Sequence, residues 1–292
     1  MHRRLPILAL LLLAACAGSP VTRSTPPASG EATAPPAGSS GAPATASPAP
    51  VEEMQVDIAV GEDERTVRVL LPSLTDGELA PMLVLLHGNP GTTSEIRDQA
   101  RATTLAARHR VVVVMPPARD QRWDAIVYPG DEVVDSPDVP YVAGVIAEAT
   151  DRLPVDPERV FVAGMSMGAV LADRIACEAG DRITAIAVVA GTPWSDRCTP
   201  GRPISVLVLH GTADGTFPLE SAEALAARWR DLDGCDGTDE VALAANAVAI
   251  RASGCTDGAQ VELVRIEGAA HAWFREPDAT ELAWRFFSEV PR

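Results

Sequence analysis

Along the chain, short apolar runs alternate with stretches in which apolar residues recur every three or four positions. The runs are Met82–Leu86, Val111–Met115, Val160–Ala163, Ile183–Ala190, Ile204–Leu209 and Val261–Ile266. They are brief, rich in β-branched residues and nearly uninterrupted, the pattern of strands buried on both faces of a parallel sheet. Between them Ser94–His109, Val139–Leu153, Ala169–Ala179 and Leu219–Asp231 carry helical spacing, and Asp278–Val290 closes the chain with a further helix. Ahead of the first run, Met54–Val60 and Arg65–Leu71 alternate around Gly61-Glu62-Asp63-Glu64, which predicts an antiparallel pair. Glu240–Ser253 is rich in Ala and Val and fits helix or strand equally. The alternation predicts an α/β class for residues 51–292: a doubly wound, mostly parallel sheet with right-handed crossovers and flanking helices.

The first fifty residues follow a different pattern. Arg3 and Arg4 precede an apolar run from Leu5 to Ala15, and Cys16 ends it. A basic start with a short apolar core reads as a secretory signal over residues 1–15, too short to span a membrane as a helix. Leu13-Ala14-Ala15-Cys16 resembles a bacterial lipobox, which predicts that Cys16 becomes the lipidated first residue, anchored to the outer face of a bacterial membrane; an ordinary signal peptide with a coincidental Cys would instead leave the protein secreted. From Ala17 to Pro50 the chain is built almost entirely from Pro, Ala, Ser, Thr and Gly, with eight prolines and almost no large apolar side chain. Such a segment buries too little apolar surface to offset its ordering entropy and reads as a tether. At about 3.1 Å per extended residue it reaches roughly 100 Å at most.

Composition sharpens this reading. The 292 residues carry 24 Lys+Arg, all of them Arg, against 40 Asp+Glu, a net charge of −16 that becomes −18 once the signal is removed. That acidity excludes nucleic acid as the main partner, because phosphate binding needs clustered cations. The spacing of His and Cys offers no metal site, and no phosphate loop is present, so no cofactor is expected.

In a parallel sheet the chemistry sits where strands end. Val160–Ala163 runs into Gly164-Met165-Ser166-Met167-Gly168 and then a helical pattern, a G-x-S-x-G turn that lifts a serine oxygen above the sheet. Met82–Leu86 runs into His87-Gly88-Asn89-Pro90-Gly91, where small residues can present a backbone N–H to an oxyanion. Pro90 has no N–H, so Asn89 is the donor candidate, and the N–H of Met167, after the serine, is the second. Ile204–Leu209 ends in His210-Gly211-Thr212-Ala213-Asp214, and Val261–Ile266 leads to Gly268-Ala269-Ala270-His271. The order Ser166, Asp214, His271 supplies nucleophile, acid and base in the sequence expected of a hydrolase triad on such a sheet. Asp236 and Asp257 are weaker acid candidates, and Asp173 lies inside the helix after the serine. His87 and His210 read as buried structural hydrogen-bonding groups, His109 as a helix C-terminal partner, and His2 leaves with the signal. Trp123 and Tyr128, after the Val111–Met115 run, Trp194 after Ala190, and Trp273 beside His271 are candidates for a substrate pocket.

Four stretches, LVLLHGNPG, PVDPERVFVAGMSMGA, VLVLHGTADGTFP and IEGAAHAW, together resemble polyhydroxybutyrate-depolymerase-like and feruloyl-esterase-like α/β-hydrolases over most of residues 66–290. The resemblance implies an α/β-hydrolase fold and ester hydrolysis through an acyl-enzyme on Ser166, Asp214 and His271. The substrate would be a small or polymeric ester of short acyl, hydroxyalkanoate or feruloyl type. Two departures bear on the oxyanion loop and on substrate choice: Asn89-Pro90 follows the strand-end His-Gly, and Ala269-Ala270 replace the usual Gly-Gly before the histidine. With Cys16 set aside, four cysteines allow three pairings. The resemblance implies Cys177–Cys198 and Cys235–Cys255. Other readings are a surface lipoprotein that keeps the fold as a binding module, or an acyltransferase, peptidase or dienelactone-type hydrolase on the same scaffold.

Overall fold

Met82, Val84 and Leu86 of one short run pack to one side, while Leu83 and Leu85 pack to the other. That alternation places the run at the centre of a sheet. A computed structural model describes residues 49–126, 132 and 134–291. The signal, Cys16, most of the tether and Tyr128 lie outside the described residues.

Ten strands form one sheet: β1 (Val51–Val60), β2 (Asp63–Pro72), β3 (Ala80–Leu86), β4 (Val112–Met115), β5 (Val155–Met165), β6 (Ala185–Val189), β7 (Ser205–Gly211), β8 (Gly237–Ala244), β9 (Ala247–Ser253) and β10 (Val261–Ile266). Their spatial order is β1-β2-β4-β3-β5-β6-β7-β10-β9-β8. The six from β4 to β10 in that order are parallel, and antiparallel strands flank them on both sides. Every residue of β3, β4, β6 and β7 is buried. This is the expected consequence of covering both faces with helices.

Helices α3 (Asp138–Arg152), α4 (Met167–Ala179) and α5 (Leu219–Leu232) cover one face, and α1 (Thr93–Gln99), α2 (Ala102–His109) and α6 (Ala279–Glu289) the other. The result is a three-layer α/β/α sandwich. Parallel direction gathers the carboxyl ends of β3, β5, β7 and β10 on one edge of the sheet, where all the candidate catalytic loops emerge. No helix among the described residues is long and apolar enough to cross a membrane.

Two segments differ from the periodicity, and a third is one that it fits either way. The helix expected over Ser94–His109 is two helices, broken at Arg101 in the left-handed region (φ 46°). There the Thr280 hydroxyl donates to Ala100 O at 2.8 Å, so a side chain from the last helix serves a carbonyl in the break. Strand β5 starts at Val155, five residues earlier than its apolar run. Val155 pairs with Ala80 and Val160 with Met82, so polar Asp156–Arg159 bulge out of the ladder. Glu240–Ser253, which fitted either element, falls on the hairpin β8–β9. Cys235 and Cys255 are bonded at its base, and Cys177 is bonded to Cys198, the pairing that the resemblance implied.

Candidate active site

Ser166 lies between β5 and α4 with φ 54° and ψ −122°, backbone angles that an L-residue reaches only under strain. The N–H of Ser166 donates to Val189 O at 3.0 Å, and its carbonyl accepts from the Ala169 and Val170 amides at 2.9 and 3.0 Å. The turn is therefore tied to β6 on one side and becomes helix at once on the other. The two flanking glycines are a steric requirement. A Cβ on Gly164 would stand 2.2 Å from Gly168 O, and one on Gly168 would stand 2.3 Å from His87 O. The spacing in G-x-S-x-G is the packing of strand, turn and neighbouring loop written in sequence.

The candidate acid and base, Asp214 and His271, meet on the loops after β7 and β10. His271 Nδ1 and Asp214 Oδ2 are 2.8 Å apart, and the Asp214 side chain is fully buried. Its Oδ1 accepts from the amides of Thr216 and Phe217 at 2.8 and 3.0 Å. Burial pushes this carboxyl up, but the His271 hydrogen bond and the two amides more than offset it, holding it below the usual aspartate range. The two loops are joined directly, Ala213 N–H donating to Ala269 O at 3.0 Å. The Ser166 hydroxyl has no hydrogen-bond partner among the described residues. An ionised Asp214 with Nδ1–H of His271 turned to it leaves Nε2 of that ring as the acceptor, the tautomer a general base requires.

The loop after β3 carries the candidate oxyanion donor. The backbone N–H of Asn89 has no partner among the described residues, and Met167, first residue of α4, has no intrahelical acceptor for its own. His87 is buried, with Nδ1 2.7 Å from Gly88 O and Nε2 3.2 Å from the Ala118 amide. An amide can only donate, so Nε2 accepts and Nδ1 carries the proton. Burial holds this imidazole below the ordinary histidine range, partly countered by its bond to Gly88. His87 is structural, as its strand-end position suggested. His210 is also buried: Nε2 donates to Phe217 O at 3.0 Å and lies 3.6 Å from Asp214 Oδ2. His109 pairs with Glu281 at the end of α2.

The expected aromatic pocket needs correction. Trp123, Trp194 and Trp273 are 3%, 3% and 6% exposed. Trp123 packs beneath the β3 loop with its indole N–H on His87 O, Trp273 hydrogen-bonds Thr280 in the α1/α2/α6 core, and Trp194 lies against the Arg174 guanidinium. Large rings gain more from burial than from facing solvent, so these three are packing groups. Asp173 is excluded as the acid: it is buried and takes hydrogen bonds from Arg228, Trp229 Nε1 and Trp194 N–H. Asp236 and Asp257 flank the Cys235–Cys255 bridge, and Asp257 lies in the loop before β10, away from the catalytic edge. Phe217 escaped the sequence reading. Its ring meets His271 edge-on at 5.8 Å while its main chain serves both Asp214 and His210. A lone aromatic three residues past the acid, among Gly and Thr, was the available signal.

Sheet order, crossover pattern and the serine turn define an α/β-hydrolase fold. Solved structures share it: an acetyl xylan esterase from Aspergillus awamori superposes with TM-score 0.65 at 15% identity, covering 81% of this chain and 99% of that one. An esterase from Pyrobaculum calidifontis gives 0.56 at 19% identity, covering 83% and 88%. The profile of the family described as "Putative esterase" matches residues 59–236, and the chain belongs to that esterase family. Feruloyl esterase B of Piromyces equi is 26% identical over 250 residues, covering 77% of this chain and 45% of that protein. Feruloyl esterase D of Neurospora crassa is 26% identical over 160 residues, covering 52% and 55%. The chain spans about half the length of the curated relatives it matches.

Proposed function

We propose that this chain is an exported serine esterase that hydrolyses carboxylic esters through an acyl-enzyme. Ser166 Oγ attacks the ester carbonyl and His271 Nε2 takes its proton. Asp214 holds the imidazole and stabilises its charged form. The N–H groups of Asn89 and Met167 hold the oxyanion. The His271 proton passes to the leaving alcohol, and water, activated by the same ring, frees the acid and restores Ser166. The observation that carries this reading is the pairing of a buried Asp214 with a half-buried His271 at 2.8 Å on the same sheet edge as a serine held at φ 54°. The named activities of the relatives, feruloyl and acetylxylan ester cleavage, favour short acyl and feruloyl esters as first substrates.

Export rests on the N-terminal pattern and on two disulfides, which persist in oxidising compartments. In this reading residues 1–15 are removed, Cys16 is lipidated and residues 17–50 form the tether. The enzymatic test is release of p-nitrophenol from acetyl and butyryl esters by purified protein, with loss of at least about 10³-fold in S166A. Persistent turnover in that variant would falsify the nucleophile, and a fluorophosphonate probe that labels wild type but not S166A would support it.

A further inference from the structure

We propose that the Asn89 side chain is a positioning residue that aims its own backbone N–H at the oxyanion. The proposal rests on the reading of that N–H as an oxyanion donor. Asn89 Nδ2 donates to Trp123 O at 2.9 Å, and the Trp123 amide donates to Asn89 Oδ1 at 2.8 Å. The two bonds close a ring between one side chain and the main chain of one residue, which fixes distance and rotation together. Three more bonds join the same two loops: Trp123 Nε1 to His87 O at 2.9 Å, Ala118 N–H to His87 Nε2 at 3.2 Å, and Gly91 N–H to Gln121 O at 3.0 Å. The His87 ring also lies against Trp123, centroids 5.0 Å apart and planes tilted by 31°, and Trp123 is itself buried.

Asn89 sits between Gly88 and Gly91, in a segment whose glycines would leave it loose. Yet the loop lies directly against the nucleophile. A Cβ on Gly88 would stand 3.4 Å from Ser166 Cβ, so small displacements there alter where Asn89 N–H points. The clasp uses the side-chain carboxamide and leaves the backbone N–H without a partner among the described residues. Only a carboxamide of this length both donates and accepts here: a carboxylate accepts only, and Gln is one methylene longer. The residue at which this chain departs from the family pattern thus brings its own fastening.

The test compares purified wild type, N89A and N89D on p-nitrophenyl acetate. N89D is nearly isosteric and carries the test if N89A does not fold, as judged by circular dichroism. Its carboxylate cannot donate to Trp123 O. The clasp predicts that kcat and kcat/KM fall together by about 10–100-fold, because an interaction made only in the transition state is lost. Inhibition by an aryl trifluoromethyl ketone, whose serine hemiketal places an oxyanion in the same hole, should weaken by the same factor. Unchanged kcat in a folded variant, or a change confined to KM, overturns the clasp alone. Retained turnover in S166A overturns the catalytic reading beneath it, so the two failures are separable.

Discussion

Asp214 and Asp233 are both buried near strand ends, and their surroundings send them in opposite directions. Asp214 keeps its charge because two amides and His271 point at it. In D214N the amide nitrogen would face His271 Nδ1 and force the wrong tautomer. We expect kcat to fall by about 10³–10⁴ with the fold intact, measured by steady-state kinetics and circular dichroism. Asp233, by contrast, has one backbone donor, Ile204 N–H on Oδ1, and no partner on Oδ2 among the described residues. Burial pushes it up to about 7, against roughly 3.9 in the unfolded chain. The folded state therefore favours the neutral acid. Its contribution is intact below about pH 4 and is lost as pH rises through about 7, by up to ~4 kcal/mol. D233N should raise the melting temperature at pH 8 and flatten its dependence between pH 4 and 8. A parallel downward shift at both pH values would refute this. Chain order made Asp214 legible, but Asp233 was not, since a lone Asp after a helix is ordinarily exposed.

At the scale of elements, Asp173 joins α4 to α5. Arg228 and Trp229 of α5 both reach it, and Trp194 N–H adds the loop after β6. D173A would strand the Arg228 charge in a partly buried site and should cost about 3 kcal/mol in denaturant unfolding. A loss under 1 kcal/mol would show that the network contributes little. Periodicity found the strands of this sheet because runs buried on both faces are uninterrupted. It missed the break at Arg101, where a carbonyl is served by Thr280, far along the chain. It left β8–β9 open because the exposed edge strand β8 and the Ala-rich β9 beside it carry neither a clear period of two nor one of 3.6.

For the whole molecule, the proposed signal, lipidated Cys16 and tether form one arrangement that cell fractionation tests. C16S should move the protein from the membrane to the soluble fraction on cell fractionation, and a chain starting at residue 51 should keep full esterase activity. Membrane retention of C16S would remove the anchor from this account. By itself the sequence determined the α/β class, the helix-flanked strands and the three residues proposed for catalysis. Each of these is written in local periodicity, in turn chemistry, or in the order in which parallel strands deliver their loops. Only tertiary structure decided that Trp123, Trp194 and Trp273 are buried in packing, that Phe217 lies edge-on to His271, and that the Asn89 carboxamide fastens the loop after β3 to Trp123. Burial and hydrogen-bond partners are properties of contacts between distant segments, and no local pattern records which segments will meet.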